Sequence, residues 1–216
     1  MDFSFLSEYY MFFINGAKFT LILAFFTVFL GVIVGAILAL MKISRNVILN
    51  VIASTYVEII RGTPLLVQLY IIFYGLPYVG IELPDMVAGI LALSINSSAY
   101  VAEIIRGGIN SIDKGQMEAA RSLGMSYNMA MINIIIPQAV KNIIPVLGNE
   151  FIVVIKESSI VSVIGIHELS YNADTVRGNI FKPFEPLLVS AFIYFIMTFT
   201  LSKFMKRVEE RMNISD

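Results

Sequence analysis

Residue types that support much of soluble enzyme chemistry are missing or rare in this chain. It has no cysteine, and His167 is the one histidine among 216 residues. The absence of cysteine excludes disulfide bonds, thiolate metal sites and thiol nucleophiles. A single histidine excludes a histidine-rich metal centre and the HExxH pattern of zinc proteases.

Charged residues are also scarce. They make up 14% of the chain, against about 25% in soluble globular proteins. Hydrophobic residues make up 57%, and the mean hydropathy is +0.81. In water such a chain would expose large apolar patches, whereas in lipid apolar side chains can face outward. We therefore predict an all-α integral membrane protein, and the net charge of -1 gives no indication of a nucleic-acid partner.

Five apolar runs have the length of a membrane-spanning helix, which is about 20 residues. The predicted spans, all within one domain of residues 1–216, are residues 19–41, 62–81, 86–105, 138–166 and 186–204. We predict helices because open strands would leave backbone groups unpaired in lipid. Pro64 lacks an N–H, so it must lie near a helix start or a kink.

The distribution of lysine and arginine predicts the orientation. Five spans place the two termini on opposite sides, and cytoplasmic segments carry the excess of positive charge. An external N-terminus and a cytoplasmic C-terminus leave only Lys18, Arg177 and Lys182 on the outer side. The same orientation places ten cations inside, namely Lys42, Arg45, Arg106, Lys114, Arg121, Lys141, Lys203, Lys206, Arg207 and Arg211.

The predicted cytoplasmic loop at residues 107–137 has a regular pattern. Asp113 is placed to cap a helix, Gly124 ends that helix, and Ser126 can cap a second short helix that runs up to Pro137. The sequence therefore predicts two short helices at an angle to each other.

The same loop carries a motif with specific spacing. Glu118-Ala119-Ala120 is followed by Gly124, then Ile134, then Ile136-Pro137. This spacing resembles the EAA motif of the inner-membrane permeases of ATP-binding-cassette (ABC) importers, with Ile136 in place of the usual leucine. Residues 58–68, 99–109 and 156–160 also resemble the polar amino acid branch of these permeases, although Glu157 and Ile160 depart mildly from its pattern.

The resemblance implies a fold, a location and partners. The fold would be that of type I ABC importer permeases (MetI-like), with about five transmembrane helices and cytoplasmic coupling helices, in the bacterial inner membrane. Glu118, Ala119, Ala120 and Gly124 would form the contact with an ATPase, the two alanines sharing one helix face. Two ATPase subunits, a second permease (the same chain or a sister chain) and an external substrate-binding protein would complete the complex. The outer loop at 167–186 would help to dock that binding protein.

The chain itself has no GxxxxGK[ST] sequence. We therefore expect no cofactor in this chain, with ATP and magnesium bound by the partner ATPase, and no enzymatic activity of its own.

Polar residues inside the spans predict where a substrate binds, because ionisable groups at membrane depth usually face the bundle interior or a water-filled path. Glu150 and Glu157 are seven residues apart, on one helix face. Asn96, Tyr100 and Glu103 share a face of another helix. If these faces meet, they form a polar cavity for the substrate. The predicted substrate-binding residues are Glu150, Asn96, Ser97, Glu157, Tyr100 and Glu103.

Structural roles compete with several of these predictions. Glu103 and Arg106 are placed to pair with each other, and Lys156 and Glu157 could pair with a neighbouring span. Thr63 and Gln68 are further candidates for lining the path.

These features together predict a permease subunit of an ATP-driven importer of polar amino acids. The excess of intramembrane acids favours basic substrates such as arginine, lysine or histidine. A glutamine or glutamate importer is the alternative, and an ion-coupled secondary transporter is a further one. An intramembrane serine protease is disfavoured because Ser158 and Lys156, two residues apart, face different sides of a helix.

Overall fold

The computed structural model describes residues 1–213, and every regular element in that range is helical. The last three residues of the predicted domain lie outside the described range. The helices are α1 (Leu6–Ile43), α2 (Val47–Gly62), α3 (Leu65–Tyr78), α4 (Asp85–Asn110), α5 (Lys114–Ser122), α6 (Tyr127–Ala130), α7 (Ile136–Glu157), α8 (Leu169–Ile180) and α9 (Glu185–Asn213). A π-helical segment at Met131–Ile135 joins α6 to α7, and a 3₁₀ segment at Ser158–Ile164 continues α7.

Four helical stretches in the described range are long and apolar enough to cross a membrane. They are Leu6–Ile43, Asp85–Asn110, Tyr127–Ile164 and Glu185–Met212. The bent pair α2–α3 makes a fifth if it is counted as one span. The prediction of an all-α protein with about five transmembrane helices is therefore confirmed.

The predicted span at 62–81 contains a single helix, α3, and is one arm of a bent pair. It begins at the break between α2 and α3, where the chain bends by 104°. Thr63 has an extended backbone (φ -118°, ψ 145°), as expected of a residue that precedes a proline. Because α3 has 14 residues, it is about 21 Å long and too short to cross the hydrocarbon core of about 30 Å by itself.

The outer loop predicted at 167–186 contains a helix, α8. One face of α8 is buried through Leu169, Asn172, Ala173 and Val176. These positions are spaced by three, one and three residues, which is one stripe of a helix. The sequence did not predict this helix, because the polar residues between the buried positions are equally typical of a loop at the membrane surface.

The most extensive contact in the bundle is between α1 and α4. Gly31 and Gly35, one turn apart on α1, face Ser97, Ser98 and Val101 of α4. A Cβ atom at Gly35 would lie 2.6 Å from Cγ1 of Val101 and 2.9 Å from the carbonyl oxygen of Ser98. Small residues at this spacing let two helix backbones approach closely in a membrane. The position of α4, which carries most of the intramembrane polar residues, therefore depends on these two glycines.

A buried carboxylate holds α8 against the bundle. Glu168 caps α8 by accepting a hydrogen bond from the backbone N–H of Tyr171 (2.8 Å), and it accepts another from the hydroxyl of Tyr194 on α9 (2.6 Å). Asn172 donates to the backbone carbonyl of Phe12 on α1 (2.8 Å). These bonds join α8 to α1 and α9 at the end of the bundle opposite α5.

The α1–α4 contact predicts the effect of a single methyl group. We expect Gly35→Ala to lower the stability of the bundle by about 1–3 kcal/mol, because its Cβ meets Val101 and the backbone of Ser98. Thermal unfolding of the detergent-purified chain would measure the change. Gly107→Ala on α4 is the matched control, because a Cβ there meets nothing within 4 Å. Equal unfolding temperatures for the two variants would contradict this account of the packing.

Candidate functional site

The loop that carries the EAA motif folds into a short helix with a defined stop. Asp113 accepts a hydrogen bond from the backbone N–H of Gly115 (2.7 Å), which confirms the predicted cap of α5. At the other end Gly124 has φ +87°. Its N–H donates to the carbonyl of Arg121, and the N–H of Met125 donates to the carbonyl of Ala120, both at 3.1 Å. This is a Schellman motif, which places glycine in the left-handed conformation after the helix end.

The predicted second helix starts as expected but does not stop at Pro137. Ser126 accepts from the backbone N–H of Met129 (3.2 Å) and caps α6. The helix then runs through the π segment into α7, with Pro137 in the first turn of α7. Gln138 supplies a side-chain hydrogen bond to the carbonyl of Ile134 (2.8 Å) near the point where the proline lacks its N–H. The second part of the segment that carries the EAA motif is therefore continuous with a membrane-spanning helix.

The two alanines of the EAA motif do not share one face of α5. Glu118 and Ala119 are exposed, whereas Ala120 is buried. The prediction of a common alanine face was wrong because adjacent residues differ by about 100° around a helix axis. α5 packs against the π segment, with Ala120 as its one buried residue. The free surface therefore includes Glu118, Ala119, Arg121 and Leu123, which is 85% exposed.

Two side-chain contacts tie this segment to the bundle. The guanidinium of Arg45, just after α1, lies 5.1 Å from the ring centre of Tyr127 on α6. Asn142 on α7 donates to the hydroxyl of Ser111, which follows α4 (3.0 Å). The segment is thus held against the end of α1 and against α7 by side-chain contacts.

In the middle of the bundle, Glu150 of α7 meets Ser97 of α4. The Ser97 hydroxyl donates to Oε1 of Glu150 at 2.9 Å, and the two side chains are 2% and 9% exposed. No ion pair among the described residues involves Glu150. A carboxylate at this depth is costly without a cationic partner, so the pair is a candidate site for a cationic group.

Asn96 lies beside Ser97 in sequence but points to a different helix. Its side-chain amide donates to Oε1 of Gln68 (3.0 Å). Gln68 in turn donates to the carbonyl of Ile60 (2.7 Å) and to the hydroxyl of Thr63 (2.8 Å). Gln68 therefore bridges the break between α2 and α3, and Asn96 anchors the bridge to α4. The sequence predicted Gln68 as a lining residue, and a lone amide four residues after Pro64 was the available signal for this second role.

Glu103 is engaged in ion pairs. Its carboxylate accepts from Nζ of Lys42 (2.7 Å) and from the guanidinium of Arg106 (2.8 Å). The competing prediction that Glu103 pairs with Arg106 is confirmed, and Lys42 is a further partner. Tyr100, on the same face of α4, lies 5.3 Å from the guanidinium of Arg61, measured to its ring centre.

The predicted faces do not meet in one cavity. Glu150 contacts Ser97, while Asn96, Tyr100 and Glu103 contact α2, α3 or α1. Glu157 is exposed at the end of α7, about 10 Å along the axis from Glu150. The faces separate because Ser97 and Asn96 differ by about 100° around α4, which sends the two side chains to different neighbours.

The geometry defines a class of protein: a helical, multi-spanning membrane protein whose long connecting segment projects a short capped helix from the bundle. Residues 31–214 match the family described as the inner membrane component of binding-protein-dependent transport systems. The chain belongs to this family.

Relatives narrow the assignment to amino acid transport. The chain is 42% identical over 206 residues to the putative glutamine transport system permease protein GlnP of Rickettsia typhi, covering 95% of this chain and 94% of that protein. It is 40% identical over 217 residues to the arginine transport system permease protein ArtQ of Bacillus subtilis, covering 100% and 99%.

Two solved structures have folds similar to that of this chain. A chain from a crystal structure of an amino acid ABC transporter with histidines has 53% sequence identity and a TM-score of 0.94, covering 98% of this chain and 99% of that one. A chain from the MetNI methionine ABC transporter in an inward-facing form has 19% identity and a TM-score of 0.82, over 98% and 99%, and shows the fold alone.

The protein is therefore a multi-pass inner-membrane permease of an amino acid ABC importer. It is a non-catalytic subunit, and a partner ATPase hydrolyses ATP. Membership of the family also implies a substrate-binding protein.

The Gln68 bridge predicts a loss of stability on substitution. Gln68→Leu keeps a similar volume but removes the donors to Ile60 and Thr63 and the acceptor for Asn96. We expect a destabilisation of about 1–3 kcal/mol, because buried polar groups are left unpaired. Thermal unfolding would measure it, and the double variant Gln68→Leu/Asn96→Leu should recover part of the loss. No recovery in the double variant would show that the two amides do not act as a pair.

Proposed function

We propose that this permease imports basic amino acids and that Glu150 reads the cationic side chain. The observation that carries the proposal is a buried carboxylate with one serine hydrogen bond and no ion pair among the described residues. In its ionised form such a group is stabilised at membrane depth by a counter-charge. A lysine ammonium or an arginine guanidinium supplies that charge while it occupies the site.

The neighbouring residues support this role in different ways. Ser97 fixes one oxygen of Glu150 and leaves Oε2 without a hydrogen bond from the described residues. Asn96, through Gln68, holds the α2–α3 break beside the site. Glu157, which is exposed at the end of α7, is proposed to face the path of the substrate. Tyr100 and Glu103 lie nearer to α5 and belong to a separate group of side chains.

The EAA segment is proposed as the ATPase contact. Its exposed surface includes the carboxylate of Glu118, the small Ala119, the guanidinium of Arg121 and the apolar Leu123. This surface can fit into a groove of the ATPase whose walls carry a cation. Gly124 sets the angle between α5 and α6, and the contacts of Arg45 and Asn142 carry movement to the spans. In this assignment the α5 end is cytoplasmic and the N-terminus is external.

The assembly that follows has two permeases and two ATPases. Five spans, one of them broken, are few for a complete pathway, so the chain pairs with a second copy or with a sister permease. The opposite end of the bundle, which carries α8, docks the substrate-binding protein. Its exposed surface includes Asp174 and Arg177.

Glutamine import is the second candidate function. The observation that favours it is the 42% identity to a protein named as a putative glutamine transport permease. In this case Glu150 would bind the α-ammonium group that every amino acid carries. The two functions therefore differ in whether Glu150 contacts the side chain or the backbone of the substrate.

Reconstitution tests the coupling. With its ATPase and binding protein in proteoliposomes, the permease is expected to take up arginine only with ATP, and uptake should persist when ion gradients are collapsed. Gly124→Val should reduce this uptake by at least tenfold, because a β-branched residue disfavours φ +87°. Gly124→Asn is the control, since asparagine tolerates the left-handed region.

Two outcomes would contradict this coupling mechanism. Uptake without an ATPase would remove the ATP-driven function. Full uptake by Gly124→Val would show that the angle between α5 and α6 does not matter for coupling.

The role of Glu150 is tested by a neutral substitution. Glu150→Gln keeps the size and the hydrogen bond to Ser97 but removes the charge. Arginine-stimulated ATP hydrolysis should fall by at least tenfold, because a charge-assisted contact to the guanidinium is lost. Glutamine-stimulated hydrolysis, measured in parallel, should change little if Glu150 reads the side chain. An equal fall with both amino acids would favour the glutamine alternative, and no fall with arginine would refute the proposed role.

A further inference from the structure

A polar cavity lies nearer to α5 than the Glu150–Ser97 pair. Six residues of α4 separate Ser97 from Glu103, which corresponds to about 9 Å along the axis. The cavity has a volume of about 480 Å³. Its polar walls come from α1, α2 and α4 and comprise Lys42, Glu58, Arg61, Tyr100 and Glu103.

One acidic residue in the wall of this cavity is already paired with cations. Glu103 is bonded to both Lys42 (2.7 Å) and Arg106 (2.8 Å). Its carboxylate is therefore matched by two cations and has little remaining demand for a ligand. Lys42 and Glu103 form a fixed, polar floor rather than a binding group.

The cation on α2 is held in position but is not neutralised. The guanidinium of Arg61 lies 5.3 Å from the ring centre of Tyr100. No ion pair among the described residues involves Arg61. A guanidinium beside an aromatic ring keeps its N–H fork available, and that fork matches the two oxygens of a carboxylate.

An unmatched carboxylate lies one turn away on the same helix. Glu58 precedes Arg61 by three residues and lines the same cavity. Residues at this spacing are neighbours on a helix surface, yet the two side chains do not form an ion pair. The cavity thus presents one exposed cation and one exposed anion, neither with an ionic partner among the described residues, and Gly62 also lines it.

We propose that this cavity is a second amino acid site that binds the backbone of the substrate. Arg61 binds the α-carboxylate, Glu58 binds the α-ammonium group, and Tyr100 holds Arg61 in place. The inference rests on the proposed transport function and adds a station between the Glu150 site and the α5 end. Because it reads only the backbone, this site accepts arginine and glutamine alike, while Glu150 discriminates between them.

Competitive binding to the assembled complex tests the proposal. The purified permease–ATPase complex carrying Glu150→Gln, without nucleotide, is incubated with radiolabelled L-arginine. We expect saturable binding to remain. L-Norvaline, which has the backbone but no side-chain charge, should displace the label. Agmatine, which keeps the guanidinium but lacks the carboxylate, should fail to displace it at the same concentration.

Substitutions in the cavity locate the remaining binding. In the Glu150→Gln complex, Arg61→Ala and Glu58→Gln should each raise the dissociation constant at least tenfold, because each removes a charge-assisted contact. Arg61→Lys keeps the charge but loses the fork, and should raise it by a smaller factor. Two controls should leave it unchanged: Lys203→Ala, a cation 4.7 Å from the ring centre of Phe199, and Glu210→Gln, an exposed acid on α9.

Several results would overturn the second site. They are an absence of binding in the Glu150→Gln complex, displacement by agmatine as strong as by L-norvaline, and unchanged binding in the Arg61 variants. Loss of the permease–permease contact in Arg61→Lys and Glu58→Gln, seen as a smaller complex in size-exclusion chromatography, would assign these residues to a subunit interface instead. If the wild-type complex takes up arginine with ATP while the variant complexes give any of these results, the proposed function stands and only the second site is refuted. Failure of ATP-driven uptake itself would overturn the proposed function.

Discussion

The close approach of α1 and α4 is the contact on which the rest of the structure depends. Gly31 and Gly35 let the two backbones come together where a single methyl group at Gly35 would meet Val101. Lipid supplies little hydrophobic drive for helix association, so such packing and a few internal hydrogen bonds hold the bundle. Once α4 is fixed against α1, Ser97 turns toward α7, Asn96 toward α3 and Tyr100 toward α2. The polar chemistry of the interior is set by that one orientation.

The polar side chains of the bundle are either paired with other groups of the protein or lack an ionic partner. Gln68 uses its amide to bridge the α2–α3 break, and Glu168 uses its carboxylate to cap α8 and bind Tyr194. Glu103 is matched by two cations. Glu150 has no ionic partner among the described residues, and the exposed side chains of Glu58 and Arg61 have none either. The proposed substrate path would pass these three charges between the middle of the bundle and the α5 end.

The segment that carries the EAA motif joins the projecting helix α5 to the bundle. The Schellman stop at Gly124 fixes the angle at the end of α5, and the π segment joins α6 to α7 without a break. A force applied to the exposed side of α5 therefore acts directly on the helix that carries Glu150. The Arg45–Tyr127 contact adds a second route, through the end of α1. The proposed substrate site on α7 is thus joined to the proposed ATPase contact on α5 through the π segment, α6 and the turn at Gly124.

The sequence by itself determined that this is a helical membrane protein, that it has about five spans, and that it belongs with amino acid ABC permeases. Hydrophobic run length and the EAA spacing are local patterns, and caps such as Asp113 and Ser126 act within a few residues. Tertiary structure alone decided which polar groups meet. The 100° step between Asn96 and Ser97 sends them to different helices, and the shared face of Ala119 and Ala120 fails for the same reason. Helix-surface periodicity specifies a face, but the neighbour of that face depends on the packing of α1, α2 and α7 around α4.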